Sequence, residues 1–257
     1  MFYGRENERK KLCTMFHSDG QMISLIYGRR RIGKSELIKQ VLKETDIKSV
    51  YYECKQTTEQ NNVDSLAELI GEAFDFPKPA FENMEDLLCF LFQKSEKEPM
   101  ILVLDEYPYL RENSKGLDSV LQSVIDHYKD TSNMKLIVCG SYVDTMKALL
   151  ERQNPLYGRI DLTLNLKPMD YYDSALFYPE FSEEDKVRLF SVFGGISYYN
   201  RLIDAQKSVR ENIIELIASS GARLENEVAM YLNSEISKIT RVLHLNMFVI
   251  TGYSFKL

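Results

Sequence analysis

Long apolar runs are missing from this sequence. No segment reaches the roughly 18 consecutive apolar residues that a membrane-spanning helix needs. The chain starts Met-Phe-Tyr-Gly-Arg-Glu-Asn-Glu, which is charged from position 5 onward and lacks the apolar centre of a signal peptide. These two absences predict a cytoplasmic protein that has no membrane partner.

Cysteine is also scarce. The four cysteines lie far apart and form no C-x-x-C pair, which argues against a zinc site. Three of them have apolar neighbours, as small buried thiols do in proteins of a reduced compartment. The cysteines are Cys13, Cys54, Cys89 and Cys139. Internal repeats and low-complexity segments are absent as well.

The sequence has no excess of basic residues. Its 32 Lys and Arg stand against 38 Asp and Glu, which gives a formal net charge of −6. This balance argues against a broad surface that binds nucleic-acid phosphates, although a local basic patch is compatible with it. The length of 257 residues allows one sizeable α/β domain and a smaller one.

Strand-like and helical segments alternate through the first part of the chain. Apolar, β-branched and aromatic runs predict strands, and apolar residues at helical spacing predict the helices between them. The predicted strands are 22–27, 48–54, 100–106, 135–139 and 161–166, and the predicted helices are 6–16, 34–45, 63–74, 84–96, 114–130 and 142–151. Because alternating strands and helices form parallel βαβ units, the predicted fold class is α/β, a three-layer sandwich.

Beyond about residue 168 the strand-like runs end and helical segments dominate. The predicted helices there are about 170–178, 183–193, 197–205, 208–219 and 224–238. We therefore expect two domains, an α/β core over 1–168 and a helical domain over 169–257. The last stretch, about 240–257, has no clean period and predicts no element.

The stretch from Leu25 to Ser35 reads Leu-Ile-Tyr-Gly-Arg-Arg-Arg-Ile-Gly-Lys-Ser and contains the pattern G-x-x-x-x-G-K-S. It follows an apolar strand and precedes a helix, which is the context of a loop that binds nucleotide phosphates. Gly28 and Gly33 allow a sharp turn that directs several N–H groups at one anion. A chance match in an ordinary turn is the alternative, and the flanking strand and helix argue against it.

The residues of this loop have expected parts in binding a nucleoside triphosphate. Lys34 is expected to bridge the β- and γ-phosphates and to act in catalysis, and Ser35 is expected to ligate Mg²⁺. The arginines at the variable positions are expected to be solvated or to face a partner rather than to act in catalysis. The residues expected to contact the nucleotide are Gly28, Arg29, Arg30, Arg31, Ile32, Gly33, Lys34, Ser35 and Glu36.

Two adjacent carboxylates, Asp105 and Glu106, end the third predicted strand. In open α/β sheets the ligand lies at the carboxyl ends of the strands, so both carboxylates emerge at the edge that carries the loop. We expect Asp105 to hold Mg²⁺, through a water, and Glu106 to activate a water for attack on the γ-phosphate. Such a pair alone is also typical of a solvated turn, but after a strong phosphate loop the functional interpretation dominates.

Ser141 and Arg159 are two further catalytic candidates. Ser141 follows the fourth strand. It is expected either to orient the attacking water or sense the γ-phosphate, or to cap the helix over 142–151. Arg159 begins the fifth strand after a tight turn, and it is expected to be a γ-phosphate sensor or an arginine finger. The alternative for Arg159 is an ordinary surface arginine.

Taken together, the loop, the Asp-Glu strand end and the Gly-Ser after the fourth strand resemble an AAA-type P-loop ATPase. More closely, the chain resembles the archaeal-type ATPase family, which also occurs in bacteria. Further segments that carry the resemblance are F-Y-G-R-E-x-E at 2–8, D-E-Y-P-Y-L at 105–110, C-G-S at 139–141, P-L-Y-G-R at 155–159, L-x-P-M at 166–169 and G-G-I-S-Y-Y at 194–199. The resemblance covers about residues 1–235.

The resemblance implies a parallel five-stranded sheet ordered 5-1-4-3-2, with ATP and Mg²⁺ as cofactors. It also implies that the opening segment lies near the adenine and that a C-terminal helical lid covers the nucleotide. Related proteins often have proline after Gly-Gly-Ile, where this chain has Ser197. They usually continue into a winged-helix domain and often a nuclease-like domain, whereas the sequence after about residue 240 does not follow that pattern. A truncated or frame-shifted product is one explanation.

Mg²⁺-dependent ATP hydrolysis is the leading functional hypothesis from the sequence. A second is a slow-turnover switch or scaffold that holds ATP or ADP and recruits a protein or DNA partner through the helical region. A third is a small-molecule kinase, which uses the same loop, but the Asp-Glu pair suits water activation better and no separate acceptor site is evident. An oligomer is compatible with these hypotheses. Three alternatives stay open for Arg159: it reaches the γ-phosphate of its own chain, that of a neighbour, or neither.

Overall fold

Five parallel strands pair into one sheet in the computed structural model, which describes residues 2–227. The strands are β1 (Met22–Tyr27), β2 (Lys48–Glu53), β3 (Met100–Asp105), β4 (Met134–Gly140) and β5 (Leu162–Asn165). Their order across the sheet is β2-β3-β4-β1-β5. Read from the opposite edge, this is the expected order 5-1-4-3-2, so the α/β class and the strand order are confirmed.

Helices cover both faces of the sheet. They are α1 (Glu6–Phe16), α2 (Lys34–Leu42), α3 (Glu59–Phe74), α4 (Met84–Ser95), α5 (Tyr107–Asn113), α6 (Leu117–His127) and α7 (Val143–Ala148). Alternate side chains of a strand point to opposite faces. Leu102 therefore packs in one apolar cluster with α3, α4 and α6, while its neighbour Val103 packs in a second cluster with α1 and α2. The result is the expected three layers.

Several helices around the sheet differ in their bounds from the prediction. The helix predicted over 114–130 is the shorter α6, and a separate helix, α5, directly follows β3. Pro108 lies in the first turn of α5, where its missing N–H costs no helical hydrogen bond. Helix α3 begins at Glu59 rather than at 63, because the Thr58 hydroxyl accepts the Asn61 N–H and caps the helix there.

A helical region follows the sheet. Its elements are α8 (Tyr171–Ala175), α9 (Glu183–Phe193), α10 (Ser197–Asn200), α11 (Val209–Ile213) and a π-helix (Ile214–Ala218), around an apolar cluster of Tyr178, Leu189, Phe193 and Leu224. Helix α10 ends earlier than predicted, and the π-helix interrupts the helix predicted over 208–219. Most of the helix predicted over 224–238, and the stretch 240–257, lie outside the described residues. Among residues 2–227, no helix combines the length and the apolar character needed to cross a membrane.

A substitution in a central strand tests the packing of the sheet. Leu102 is fully buried, so Leu102→Ala removes apolar contacts and leaves a cavity. We expect the free energy of unfolding, measured by urea denaturation, to fall by about 2–5 kcal/mol. The control is Val187→Ala on α9, where the side chain is 54% exposed, and it should change that free energy by less than about 0.5 kcal/mol. Equal losses in the two variants would contradict the described core.

Candidate functional site

The loop between β1 and α2 curls over the carboxyl end of the sheet. It passes so close to the end of β5 that a Cβ atom on Gly28 would lie 2.5 Å from the Leu166 carbonyl oxygen. Gly33 has a φ of 96° and forms the N-cap of α2, a left-handed conformation that suits glycine. These two positions therefore require glycine, as the sequence pattern predicts.

Lys34 is the first residue of α2, and its side chain turns back into the curl of the loop. Its ammonium group donates to the carbonyl oxygens of Gly28 at 3.1 Å and Arg29 at 3.2 Å. Only 5% of Lys34 is exposed. The loop thus holds a nearly buried positive charge beside the N-terminus of a helix, where the backbone N–H groups also favour an anion.

Asp105, at the end of β3, faces the start of α2. Its Oδ2 atom accepts a hydrogen bond from Ser35 Oγ at 2.6 Å and another from the Tyr51 hydroxyl, while Oδ1 accepts the Glu106 N–H at 3.0 Å. Asp105 is 2% exposed, and a buried carboxylate needs such donors. Ser35 and Asp105, the two predicted metal ligands, are therefore in direct contact.

The pKa of the Tyr51 phenol is raised well above its usual value, first by burial and then by the negative charge of Asp105. The phenol is consequently a hydrogen-bond donor throughout the physiological pH range. Nothing in the strand-like pattern of residues 48–54 distinguishes Tyr51 from an ordinary aromatic of a strand. Its contact with Asp105 depends on the pairing of β2 with β3, so sequence reasoning missed it.

Glu106 points its carboxylate toward the end of the neighbouring strand β4. Its Oε2 atom accepts two hydrogen bonds from Ser141, from the backbone N–H at 3.1 Å and from Oγ at 2.9 Å. Glu106 itself has a φ of 52°, which is uncommon for a residue with a side chain. The N-cap of α7 is Tyr142, with no side-chain cap, so the predicted capping role of Ser141 is wrong.

Arg30 lies at the same edge as Glu106. Its guanidinium donates to the hydroxyl groups of Tyr109 at 3.0 Å and Tyr142 at 3.1 Å, and to Ser141 Oγ at 3.4 Å. It also lies over the Tyr142 ring, 5.3 Å from the centroid. Arg30 is exposed, and side chains of its own chain also hold it, whereas the sequence predicted that it would be solvated or face a partner.

The helical region touches the loop from the other side. The Ser197 hydroxyl donates to the Ile32 carbonyl oxygen at 2.9 Å, and the Tyr198 N–H donates to the Arg31 carbonyl oxygen at 3.3 Å. The Arg31 side chain forms an ion pair with Glu227 and lies over the Tyr198 ring. The Arg31 side chain is 44% exposed, so it is solvated as well as paired within its own chain.

The opening segment of the chain also contacts the loop. Arg5 is 5% exposed, and its guanidinium donates to the carbonyl oxygens of Ile32 at 3.3 Å and Lys167 at 2.6 Å. Tyr3 packs on Phe177 of the helical region, with ring centroids 4.9 Å apart. These contacts join the start of the chain, the loop and the helical region.

Arg159 lies near the amino ends of the strands, whereas the loop lies at their carboxyl ends. It precedes β5, and Asp161, two residues later, accepts the N–H of Ile23 near the start of β1. The guanidinium forms two hydrogen bonds of 2.7 Å to the carboxylate of Asp126 on α6, which lowers the pKa of that carboxyl. The prediction that Arg159 reaches the γ-phosphate of its own chain is therefore wrong, because parallel strands send their starts and ends to opposite edges.

A cavity of about 250 Å³ lies between the loop and the helical region. Its lining includes Lys34, Ser35, Glu106, Ser197, Tyr198 and Arg201. Arg201 forms an ion pair of 3.5 Å with Glu36 across the same gap. The predicted loop, the carboxylate of Glu106 and residues of the helical region thus face one space.

The oxygen donors at this cavity suit a hard divalent cation that binds together with a phosphate. Ser35 gives its hydroxyl hydrogen to Asp105, so the lone pairs of Ser35 Oγ remain available for a cation. Within residues 2–227, no group of three or more His, Cys, Asp and Glu side chains could hold a metal by itself. Mg²⁺ commonly binds through one or two protein oxygens, with phosphates and waters as its other ligands, and this donor set fits that pattern.

Comparisons of sequence place residues 2–204 in a family described as an ATPase domain predominantly from Archaea. An uncharacterized protein of Methanocaldococcus jannaschii is 29% identical over 200 residues, which are 77% of this chain and 43% of that protein. A second uncharacterized protein of that archaeon is 31% identical over 68 residues, 25% of this chain and 66% of the relative. The chain thus spans less than half of the first relative and less than two thirds of the second.

Solved structures share the fold at low sequence identity. A Walker-type ATPase of Pyrococcus abyssi has a TM-score of 0.63 and 19% identity, covering 93% of this chain and 76% of that chain. The Aeropyrum pernix ORC2 protein, in its ADPNP-ADP complexes, has a TM-score of 0.58 and 16% identity, and the match covers 89% of this chain and 63% of that chain. The Aeropyrum pernix ORC1 protein in complex with DNA has a TM-score of 0.55 and 14% identity, and the match covers 83% of this chain and 64% of that chain.

The two arginines at opposite edges of the sheet give a direct test of the site. Arg159→Ala should leave the affinity for a fluorescent, non-hydrolysable ATP analogue within twofold of wild type, because Arg159 contacts Asp126 and not the loop. Arg30→Ala, beside the loop and Glu106, should weaken the binding of this analogue by about tenfold, since a hydrogen bond from a charged group to the γ-phosphate is worth about 1.5–3 kcal/mol. Fluorescence titration of both variants measures this difference. A larger loss in Arg159→Ala than in Arg30→Ala would contradict the assignment of the loop edge as the nucleotide site.

Proposed function

The chain belongs to the family of ATPase domains found predominantly in Archaea, and from that premise we propose that it binds ATP with Mg²⁺ and hydrolyses it. The observation that carries the proposal is one shared cavity. Lys34 and Ser35 of the loop and Glu106 after β3 all line it, and Asp105 contacts Ser35 directly. A phosphate site, a metal site and a general base within one cavity are the parts that phosphoryl transfer to water requires.

In this proposal the loop binds the phosphates. The buried ammonium of Lys34 exchanges its contacts with the Gly28 and Arg29 carbonyl oxygens for contacts with phosphate oxygens. The N–H groups at the start of α2 contribute a further favourable field for the anion. Ser35 and Asp105 would hold Mg²⁺, which when bound neutralises phosphate charge.

Glu106 is the proposed general base. A water attacks the γ-phosphorus and gives its proton to the Glu106 carboxylate, while the bond to the bridging oxygen breaks and ADP leaves. Ser141 supports this step because its N–H and hydroxyl both bind Glu106 Oε2. We therefore assign Ser141 to holding the base, in place of direct contact with the γ-phosphate.

Arg30, in place of Arg159, is the proposed arginine that contacts the γ-phosphate. Its guanidinium lies 3.4 Å from Ser141 Oγ, the hydroxyl that holds the proposed base. A positive charge at this point would stabilise the charge that develops on the transferring phosphoryl group. For Arg159 to contact a phosphate, a neighbouring copy of the chain would have to supply the nucleotide.

We also propose that residues 169–227 are the described part of the lid domain that the sequence predicted. Ser197, Tyr198 and Arg201 line the cavity opposite the loop, and Ser197 and Tyr198 hydrogen-bond to loop carbonyl oxygens. The adenine would lie near the opening segment, where Tyr3 meets Phe177. The hydrogen bonds of Ser197 and Tyr198 to the loop and the ring contact between Tyr3 and Phe177 support the assignment of this region as a lid.

A slow nucleotide-dependent switch is the second candidate function. It is favoured by the ion pair between Arg31 of the loop and Glu227 of the helical region, because a phosphate that attracts Arg31 would compete with that pair. The proposed partner is DNA, on the ground that the structurally similar Aeropyrum pernix ORC1 protein was solved in complex with DNA. The net charge of −6 limits such a contact to a local basic patch.

The lysine of the loop gives the test of nucleotide binding. Lys34→Ala removes the only charged group that the loop buries among residues 28–35 of the described chain, and we expect the affinity for fluorescent ATP to fall at least about a hundredfold. Lys43→Ala, at an exposed lysine just after α2, should leave the affinity unchanged. Equal affinities of wild type and Lys34→Ala would show that the phosphates bind elsewhere.

The base assignment separates hydrolysis from the other candidates. Glu106→Gln should keep nucleotide affinity within about threefold of wild type and lose about 10²–10⁴-fold in kcat for release of inorganic phosphate from ATP. Glu112→Gln on α5, an exposed carboxylate, should keep the wild-type rate. A wild-type turnover far below about 1 s⁻¹ with DNA or without it would favour the switch, and transfer of the γ-phosphate to a metabolite instead of water would indicate a kinase.

A further inference from the structure

Tyr51 of β2 donates its phenolic hydrogen to Asp105 Oδ2, the same oxygen that accepts the hydroxyl hydrogen of Ser35. We propose that Tyr51 is a positioning residue of the metal site: it holds the Asp105 carboxylate in the orientation that keeps Ser35 Oγ ready to bind Mg²⁺. This inference rests on the proposed function, because it concerns the metal that would accompany ATP. It adds a third side chain, from the edge strand, to a site expected from the loop and β3 alone.

The pairing of β2 with β3 brings the phenol to Asp105. Tyr51 is opposite Val103 and Glu53 is opposite Asp105 in the parallel register. Side chains two residues apart share a face of the sheet, so Tyr51 and Asp105 project to the same side, that of α2. The phenol is long enough to reach along this face to the carboxylate one step further on.

Helix α2 encloses the phenol from above. Lys39, one turn after Ser35, places its ammonium 4.9 Å from the centroid of the Tyr51 ring, a cation–π contact that fixes the ring on its outer side. Tyr51 also packs at the margin of the apolar cluster beneath α1 and α2. The ring is therefore held on both sides, and its hydroxyl has one direction in which to donate.

The hydrogen bonds of Asp105 explain what the phenol contributes. Ser35 and Tyr51 both bind Oδ2, and the Glu106 N–H binds Oδ1. With all three donors the carboxyl plane cannot rotate without breaking a bond. Without the phenol, the carboxylate keeps one donor on each oxygen, Ser35 on Oδ2 and the Glu106 N–H on Oδ1. The acceptor that orients the Ser35 hydroxyl is then held less rigidly. Groups that orient the ligands of a metal typically contribute about 10–100-fold to metal affinity.

Tyr52, the next residue, offers a matched control. Its hydroxyl donates to Asn62 Oδ1 at 2.6 Å, and its side chain packs in the cluster on the opposite face of the sheet. Tyr52→Phe thus removes the same atom from the same strand and also breaks a buried hydrogen bond. It leaves the donors of Asp105 untouched.

The experiment compares Tyr51→Phe and Tyr52→Phe in the full chain with N-methylanthraniloyl-ADP, a fluorescent ADP. The affinity of each protein for this ADP is first measured in EDTA, without free Mg²⁺. Mg²⁺ is then titrated, and the measured quantity is the Mg²⁺ concentration at which half of the metal-dependent increase in affinity is reached. We expect Tyr51→Phe to raise this Mg²⁺ concentration at least about tenfold and to keep the affinity in EDTA within twofold of wild type. Tyr52→Phe should change neither quantity by more than twofold.

Three outcomes would overturn the inference. The first is an unchanged Mg²⁺ half-saturation in Tyr51→Phe, and the second is an equal shift in Tyr52→Phe, which would indicate a general effect on strand β2. The third is a wild-type affinity for ADP that does not respond to Mg²⁺. Because the assay uses ADP, a wild type that binds Mg²⁺ and ADP but fails to hydrolyse ATP would contradict the proposed hydrolysis without affecting this test.

Discussion

Strand β4 pairs with β1 on one side and with β3 on the other, all three parallel. Because the strands are parallel, their carboxyl ends all lie at the same end of the sheet. The loop after β1, the carboxylates that end β3 and Ser141 after β4 therefore meet there without any side chain having to span the sheet. The remaining contacts of the site, those of Tyr51, Arg30 and the helical region, add to this arrangement.

Burial then decides how the charged groups at that edge behave. Asp105 and Lys34 are almost fully enclosed, and charged groups in such surroundings need partners. Lys34 binds two carbonyl oxygens of its own loop, and Asp105 accepts three hydrogen bonds. Three hydrogen bonds thus hold Asp105 in one orientation, which lowers the cost of ordering this part of the site when a ligand binds.

The loop is also the point where the helical region and the start of the chain meet the sheet. Ile32 accepts hydrogen bonds from both Arg5 and Ser197, and Arg31 pairs with Glu227. A rearrangement of the loop would break contacts in both of these regions. This coupling gives nucleotide binding a physical route to the helical region, whichever of the two proposed functions applies.

The sequence by itself determined the features that depend on near neighbours: the strand, turn and helix around residues 28–35, the apolar strand that ends at Asp105, and the alternation that defines the α/β class. Local sterics and periodicity set these, so the pattern of residues is enough to read them. Contacts between distant segments depend on strand order and register. Tertiary structure alone therefore decided that Arg159 lies at the far edge with Asp126, that Ser141 holds Glu106 instead of capping α7, and that Tyr51 reaches Asp105 across two paired strands.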